Sequence, residues 1–217
     1  VLERFDLVVF DWDGTLSDST AAIVRAIQDA AADLGLPVPD EATASHVIGL
    51  GLHEALARAV PTLPPSRIPE YSARYRAHYF AREAELTLFP GARELIAALR
   101  AAGVPLAIAT GKSQRGLQRA LKQAGLIAEF AATRCADQTH PKPHPAMLLE
   151  LAEELMVEPA RTLMIGDTTH DLQMAAAARA AGVGVTTGAH PAEQLASCQP
   201  LALFDSLPDL QRWLLPR

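Results

Sequence analysis

Lysine is scarce in this chain: of 19 basic residues only Lys112, Lys122 and Lys142 are lysine. Cysteine is scarcer, with Cys135 and Cys198 alone. Two such residues fit neither a disulfide framework nor a zinc knuckle, and a reducing compartment is the expectation. Nowhere do basic residues gather into a run, and the net charge is 19 − 25 = −6. The electrostatic footprint of a nucleic-acid or anionic-membrane binder is therefore missing. Long apolar runs are missing too. The first, residues 7–10, is closed by Asp6 and Asp11 and is too short for a signal h-region or a membrane span. We expect a cytoplasmic protein with no nucleic-acid or membrane partner.

What is present is the composition of a chain that can bury a core: 49% hydrophobic and 20% charged over 217 residues. That length suits one domain, or one domain carrying a large insertion. Short aliphatic runs at 7–11, 106–110, 131–135, 162–166 and 183–186 read as strands, with 201–204 a weaker sixth. Their apolar residues are consecutive, as in strands buried on both faces. Helical patterns fall between the later runs, at 93–102, 113–124, 145–156, 170–181 and 205–215. Several of these stop at a glycine (Gly103, Gly125, Gly182), the expected helix C-cap. Alternating strands and helices predict an α/β fold with a parallel sheet covered on both faces. Between Asp11 and Leu106 no second strand is visible. Helical patterns at 19–34, 40–47, 53–60 and 66–85 run up to a Pro90-Gly91 boundary, so residues 17–90 read as an all-helical insertion.

Polar residues collect just past the predicted strands. They are Asp11, Asp13, Gly14 and Thr15 after the first, Thr110, Gly111 and Lys112 at the second, and Lys142 after the third. Gly166, Asp167 and Asp171 follow the fourth. Ligands in open parallel sheets bind beyond the carboxyl ends of the strands, so these segments should share one crevice. Four carboxylates there repel strongly, at about 4 kcal/mol for a pair near 4 Å. One lysine does not neutralise them; a hard cation such as Mg²⁺ would. Thr110, the turn N–H groups of Gly14, Thr15 and Gly111, and the Lys142 ammonium add donors for an anion. Metal, anion donors and a free carboxylate together describe phosphoryl transfer through an aspartyl-phosphate.

Phe10-Asp11-Trp12-Asp13-Gly14-Thr15-Leu16 resembles motif one of the haloacid dehalogenase superfamily. Thr110 is similar to motif two, Lys142 in Lys-Pro-His-Pro to motif three, and Gly166-Asp167 with Asp171 to motif four. The four stand in the family's order across the chain, and the wording around them is most similar to phosphoglycolate phosphatases. The resemblance implies a Rossmann-like core over 1–16 and 91–217 with a helical cap over 17–90. It implies Asp11 as nucleophile and Asp13 as acid and base. Mg²⁺ would sit on Asp11, the Asp13 carbonyl, Asp167 and Asp171, and the phosphoryl group on Thr110, Gly111, Lys142, Gly14 and Thr15. A compact ammonium suits so crowded a site better than a guanidinium, which gives the rare Lys142 its reason.

Other positions carry weaker signals. Lys112 is a substrate contact or a rim charge. The Gly49-Leu50-Gly51-Leu52 turn is similar to cap loops that face the site, and Gly49, Leu50 and His53 are candidate substrate contacts, with Arg25 behind them. Asp18 and Ser19 read as caps of the first inserted helix, and Tyr71, Tyr75 and Tyr79 as a packing stripe. His140, His144 and His170 read as exposed loop or helix-start residues. The substrate expected is a small phosphorylated metabolite, and the protein a monomer or homodimer. Asp13 speaks against a metal-free dehalogenase, and the absence of lysine from 17–90 against a Schiff-base phosphonatase. A phosphosugar mutase and a catalytically silent binding protein stay open as alternatives.

Overall fold

The computed structural model describes residues 1–216. Six strands form one parallel sheet: β1 Leu7–Phe10, β2 Leu106–Thr110, β3 Ala132–Cys135, β4 Thr162–Gly166, β5 Ala181–Val185 and β6 Ala202–Phe204, in the order β3-β2-β1-β4-β5-β6. The chain moves outward from β1 first to one side and then to the other. The switch point, where the crevice of such a sheet opens, therefore lies at the end of β1 between β2 and β4.

Side chains of β1 alternate between two cores, as the pleat requires. Val8 and Phe10 pack on one face with α5 (Ala92–Ala101), α6 (Gln114–Ala124) and α10 (Leu207–Leu214). Leu7 and Val9 pack on the other with α7 (Ala146–Glu154) and α8 (Thr169–Ala177). Every β1 residue is buried, which explains why the strand reads as an unbroken apolar run.

Four helices lie between β1 and α5: α1 Thr20–Asp33, α2 Glu41–His46, α3 Leu52–Ala59 and α4 Ile68–Glu83. They enclose a core of their own, built on Ile23, Ile27, Ile48, Leu56 and Tyr71. The Tyr71 hydroxyl, fully buried, donates to the Ile27 carbonyl at 2.9 Å and ties α4 to α1. Both connections between this insert and the sheet run side by side. Asp18 N–H donates to Thr87 O and Phe89 N–H to Leu16 O, each at 2.9 Å, with Ser17 and Leu88 bridged antiparallel.

The structure departs from the expected elements near the C-terminus. Helix α8 ends at Ala177, and Arg179 turns the chain at φ 59°. Gly182 is thus a β5 residue rather than a helix cap. A Cβ there would press on Leu172 Cδ2 at 3.1 Å, so the glycine serves close helix–sheet packing. A short helix, α9 (Ala192–Ser197), was not anticipated. It buries only Leu195 and offers no periodic stripe to read.

Candidate active site

Asp11 extends β1 by one ladder bond, its N–H donating to Ile165 O at 2.9 Å. Asp167 directly follows β4, and Asp171 lies in the first turn of α8. Lys142 comes from the loop between β3 and α7. All four are buried, and carboxylate oxygens of Asp11, Asp167 and Asp171 lie within 4.8 Å of one another. Lys142 Nζ stands 2.8 Å from Asp11 Oδ1 and 2.6 Å from Asp171 Oδ1. These are ion-pair distances without hydrogen-bond alignment. Both Asp11 oxygens and Asp171 Oδ1 therefore remain buried with no hydrogen-bond partner.

The other two acids are held differently. Asp167 accepts from Thr15 Oγ1 and from Ala189 N–H, both at 2.7 Å. Asp171 Oδ2 accepts from Thr168 N–H at 3.1 Å and from its hydroxyl at 2.7 Å, closing a capping box on α8. Burial pushes the Asp11 carboxyl up to about 7, against the pull of Lys142. Burial and the neighbouring Asp11 and Asp171 raise Asp167 well above the usual carboxylate range. Burial alone would lower Lys142, but Asp11 and Asp171 outweigh it and hold the ammonium protonated.

Glycines make room for these carboxylates. A Cβ on Gly14 (φ 81°) or on Gly188 would overlap the Asp167 carboxylate, and one on Gly166 would overlap that of Asp171. Three acids against one lysine, with unclaimed lone pairs on Asp11 and Asp171, form a donor set that suits a hard divalent cation. These residues fit the Mg²⁺ expected from the sequence.

Asp13 lines the same cleft but has partners of its own. Its Oδ1 accepts from Ser19 Oγ at 2.7 Å, and Lys112 Nζ reaches Oδ1 at 3.0 Å and Oδ2 at 3.1 Å. Thr110, buried at the end of β2, accepts from Lys112 N–H at 3.2 Å. Two expectations need correction here. The N–H groups of Gly14 and Thr15 are taken up within their own turn, by Ser17 O at 2.9 Å and Trp12 O at 3.4 Å, and do not face an anion in this arrangement. The Thr15 hydroxyl serves Asp167 instead. Ser19 does precede α1, but its hydroxyl makes no cap bond.

A cleft of about 810 Å³ separates the sheet from the insert. Asp11, Asp13, Gly111 and Lys112 line it from below, with Gly49, Leu50 and His53 opposite. Tyr75 and Tyr79 line it as well, so only Tyr71 of the tyrosine stripe is wholly a packing residue. Arg25 is exposed and is not part of the lining. A second cleft, about 460 Å³, lies beside the two connections and holds none of the cluster acids.

Sequence reasoning missed two parts of the surroundings. The segment 187–190 wraps the acids: Thr187 Oγ1 donates to Gly14 O at 2.8 Å, beside the Ala189 bond to Asp167. His170, read as exposed, is buried, as is His190, and both rings pack against the exposed His46. His190 Nδ1 accepts from Thr169 N–H at 3.0 Å, which places its proton on Nε2, facing His46 O at 3.1 Å. His170 Nε2 reaches the same carbonyl at 2.9 Å. Two imidazoles of the sheet domain thus grip the last residue of α2. No pattern of spacing announces that meeting.

Comparison with known proteins agrees with this geometry. Residues 8–186 match the model of the haloacid dehalogenase-like hydrolases, and the chain belongs to that family. It is 37% identical over 211 residues to a probable phosphatase, IndB, of Dickeya dadantii, covering 94% of this chain and 91% of that protein. It is 32% identical over 209 residues to a phosphoglycolate phosphatase of Yersinia pseudotuberculosis, covering 94% and 90%. The crystal structure of a predicted phosphoglycolate phosphatase from Haemophilus somnus superposes with a TM-score of 0.87 at 28% identity, covering 98% of this chain and 99% of that one.

Proposed function

We propose that this chain is a Mg²⁺-dependent phosphatase that hydrolyses a small phosphomonoester, of the phosphoglycolate type, through an aspartyl-phosphate. The observation that carries the reading is the Asp11 carboxylate. It is buried at the switch point, with the Lys142 ammonium 2.8 Å from one oxygen and no other donor on either. A structural aspartate would have satisfied those oxygens; a nucleophile needs them free.

In the first half-reaction an Asp11 oxygen bonds to phosphorus, the ester P–O bond breaks, and Asp13 gives its proton to the departing alcohol. In the second, a water oxygen bonds to phosphorus and Asp13 takes the water's proton. The Asp11–phosphorus bond then breaks, releasing inorganic phosphate and restoring the Asp11 carboxylate and the protonated Asp13. Lys142 and Thr110 orient the phosphoryl oxygens. Asp11, Asp167, Asp171 and the Asp13 carbonyl would hold Mg²⁺, which when bound offsets the charge gathering on the phosphoryl group. The helical insert would act as a cap that closes over the ester and excludes bulk water. Relatives named phosphatase and phosphoglycolate phosphatase support the substrate class, and the reading implies a cytoplasmic enzyme of small metabolites.

Phosphate release from 2-phosphoglycolate, sugar phosphates, nucleotides and pyrophosphate, with and without Mg²⁺, tests this. Metal-dependent release, lost in Asp11→Asn, is the expected result. Isomerised sugar phosphate in place of free phosphate would point to a mutase instead. No turnover of any ester by folded protein would overturn the reading.

A further inference from the structure

Lys112 reaches across the boundary between the two bodies. Its ammonium touches both oxygens of Asp13 and also donates to the Tyr79 hydroxyl of α4 at 2.8 Å. The lysine and Asp13 side chains are nearly buried, at 9% and 11% exposure. Tyr79 is fixed from its other side by the ring of Tyr75, stacked at 6.0 Å. Lys112 and Ser19 are donors to Asp13, and an ammonium has no lone pair with which to accept a proton. These contacts engage both oxygens of Asp13 and fix the orientation of its carboxyl group.

Resting on the phosphatase reading, we propose that Tyr79 and Lys112 are positioning residues for the second half-reaction. Tyr79 holds Lys112, and Lys112 holds the Asp13 carboxylate as the base toward the water that attacks the phosphoenzyme. Because Tyr79 belongs to the insert, the base is fully ordered only when the insert stands as it does here. Transfer of phosphorus to Asp11 from an ester with a good leaving group needs no proton donor, so that step does not depend on the chain of contacts.

Rapid-mixing kinetics with p-nitrophenyl phosphate and Mg²⁺ separate the two steps. The first releases p-nitrophenolate as a burst, and the second sets the linear phase that follows. Lys112→Met keeps the stem and removes the ammonium. It should slow the linear phase about 10- to 100-fold, within the range of general-base effects, while the burst rate changes less than about threefold. Tyr79→Phe keeps the ring and removes the hydroxyl; the linear phase should slow about 3- to 10-fold, with burst amplitude near one per site. In the Lys112→Met background Tyr79→Phe should add nothing, because it acts through the lysine. Thermal melts establish that each variant is folded. Equal slowing of burst and linear phase, additive losses, or an unchanged linear phase in both variants would overturn the inference while leaving the phosphatase reading intact. A wild-type protein that releases no p-nitrophenolate with Mg²⁺ would sink that reading, and this inference with it.

Discussion

Thr15 donates its hydroxyl to Asp167 at 2.7 Å in a space with no room for water between them. Thr15→Val preserves shape and deletes that bond. Loss of an outer partner of a metal-binding carboxylate commonly weakens metal affinity about 10- to 100-fold. We expect the Mg²⁺ concentration for half-maximal activity to rise by that factor, read from a Mg²⁺ titration of both proteins. His190 offers a different test. Burial and then the neighbouring His170 lower it to about 4, from an ordinary value near 6.5. The unfolded chain therefore binds more protons between those values, and the stability this residue confers is lost as pH falls from about 6.5 toward 4. The raised carboxyl of Asp11 acts in the opposite direction over much of the same range, since its contribution is lost as pH rises toward about 7. Comparison of variants, not the absolute profile, isolates the histidine. Melting curves of metal-free His190→Gln across pH 4–7 should be flatter on the acid side than those of wild type. Asp11 and Asp167 were legible because each sits one step past an apolar run, with Asp13 and Asp171 close behind. His190 and Gly188 were not, because nothing local distinguishes a loop that wraps a distant carboxylate.

The loop between α2 and α3 and the turn after β2 meet backbone to backbone. A Cβ on Gly111 would stand 2.6 Å from Leu50 O and 2.7 Å from Gly49 O. A methyl group there forces the insert loop away from the sheet. Gly111→Ala should lower kcat/KM roughly tenfold, the scale on which small misplacements near a site act. The melting temperature should move little, and amide exchange should quicken at residues 49–52. Strands β1, β2 and β4 were readable to within a few residues because their apolar residues run nearly unbroken. The end of α8 was not. Its alanine-rich continuation carries helix propensity past the point where Arg179 turns the chain. Gly182 and Gly184 then blur the start of β5, read at 183 and found at Ala181; both are small because α8, Leu203 and Leu195 press on them.

Taken as one molecule, the protein keeps three buried acids and one buried lysine at the centre of its sheet. That arrangement costs stability in the absence of a cation. A ligand that binds the folded state alone stabilises it by about 2.7 kcal/mol at one hundred times its Kd. For a chain of this size that corresponds to a rise of roughly 5–10 °C in melting temperature. Mg²⁺ should therefore raise the melting temperature of the metal-free protein, and Asp167→Asn should abolish the rise. Among the described residues no helix is long and apolar enough to cross a membrane.

The two connections to the insert, hydrogen-bonded along Leu16–Asp18 and Thr87–Phe89, have a mechanical consequence. Two independent tethers would leave a body free to swing, twist and slide. Tethers joined as a ribbon bend together, so the soft motion collapses to rotation about one axis. The Lys112–Tyr79 contact and the His46 grip then hold the same leaf at two further points. An insert on such a pin searches few orientations before it closes, and closure consumes little conformational entropy.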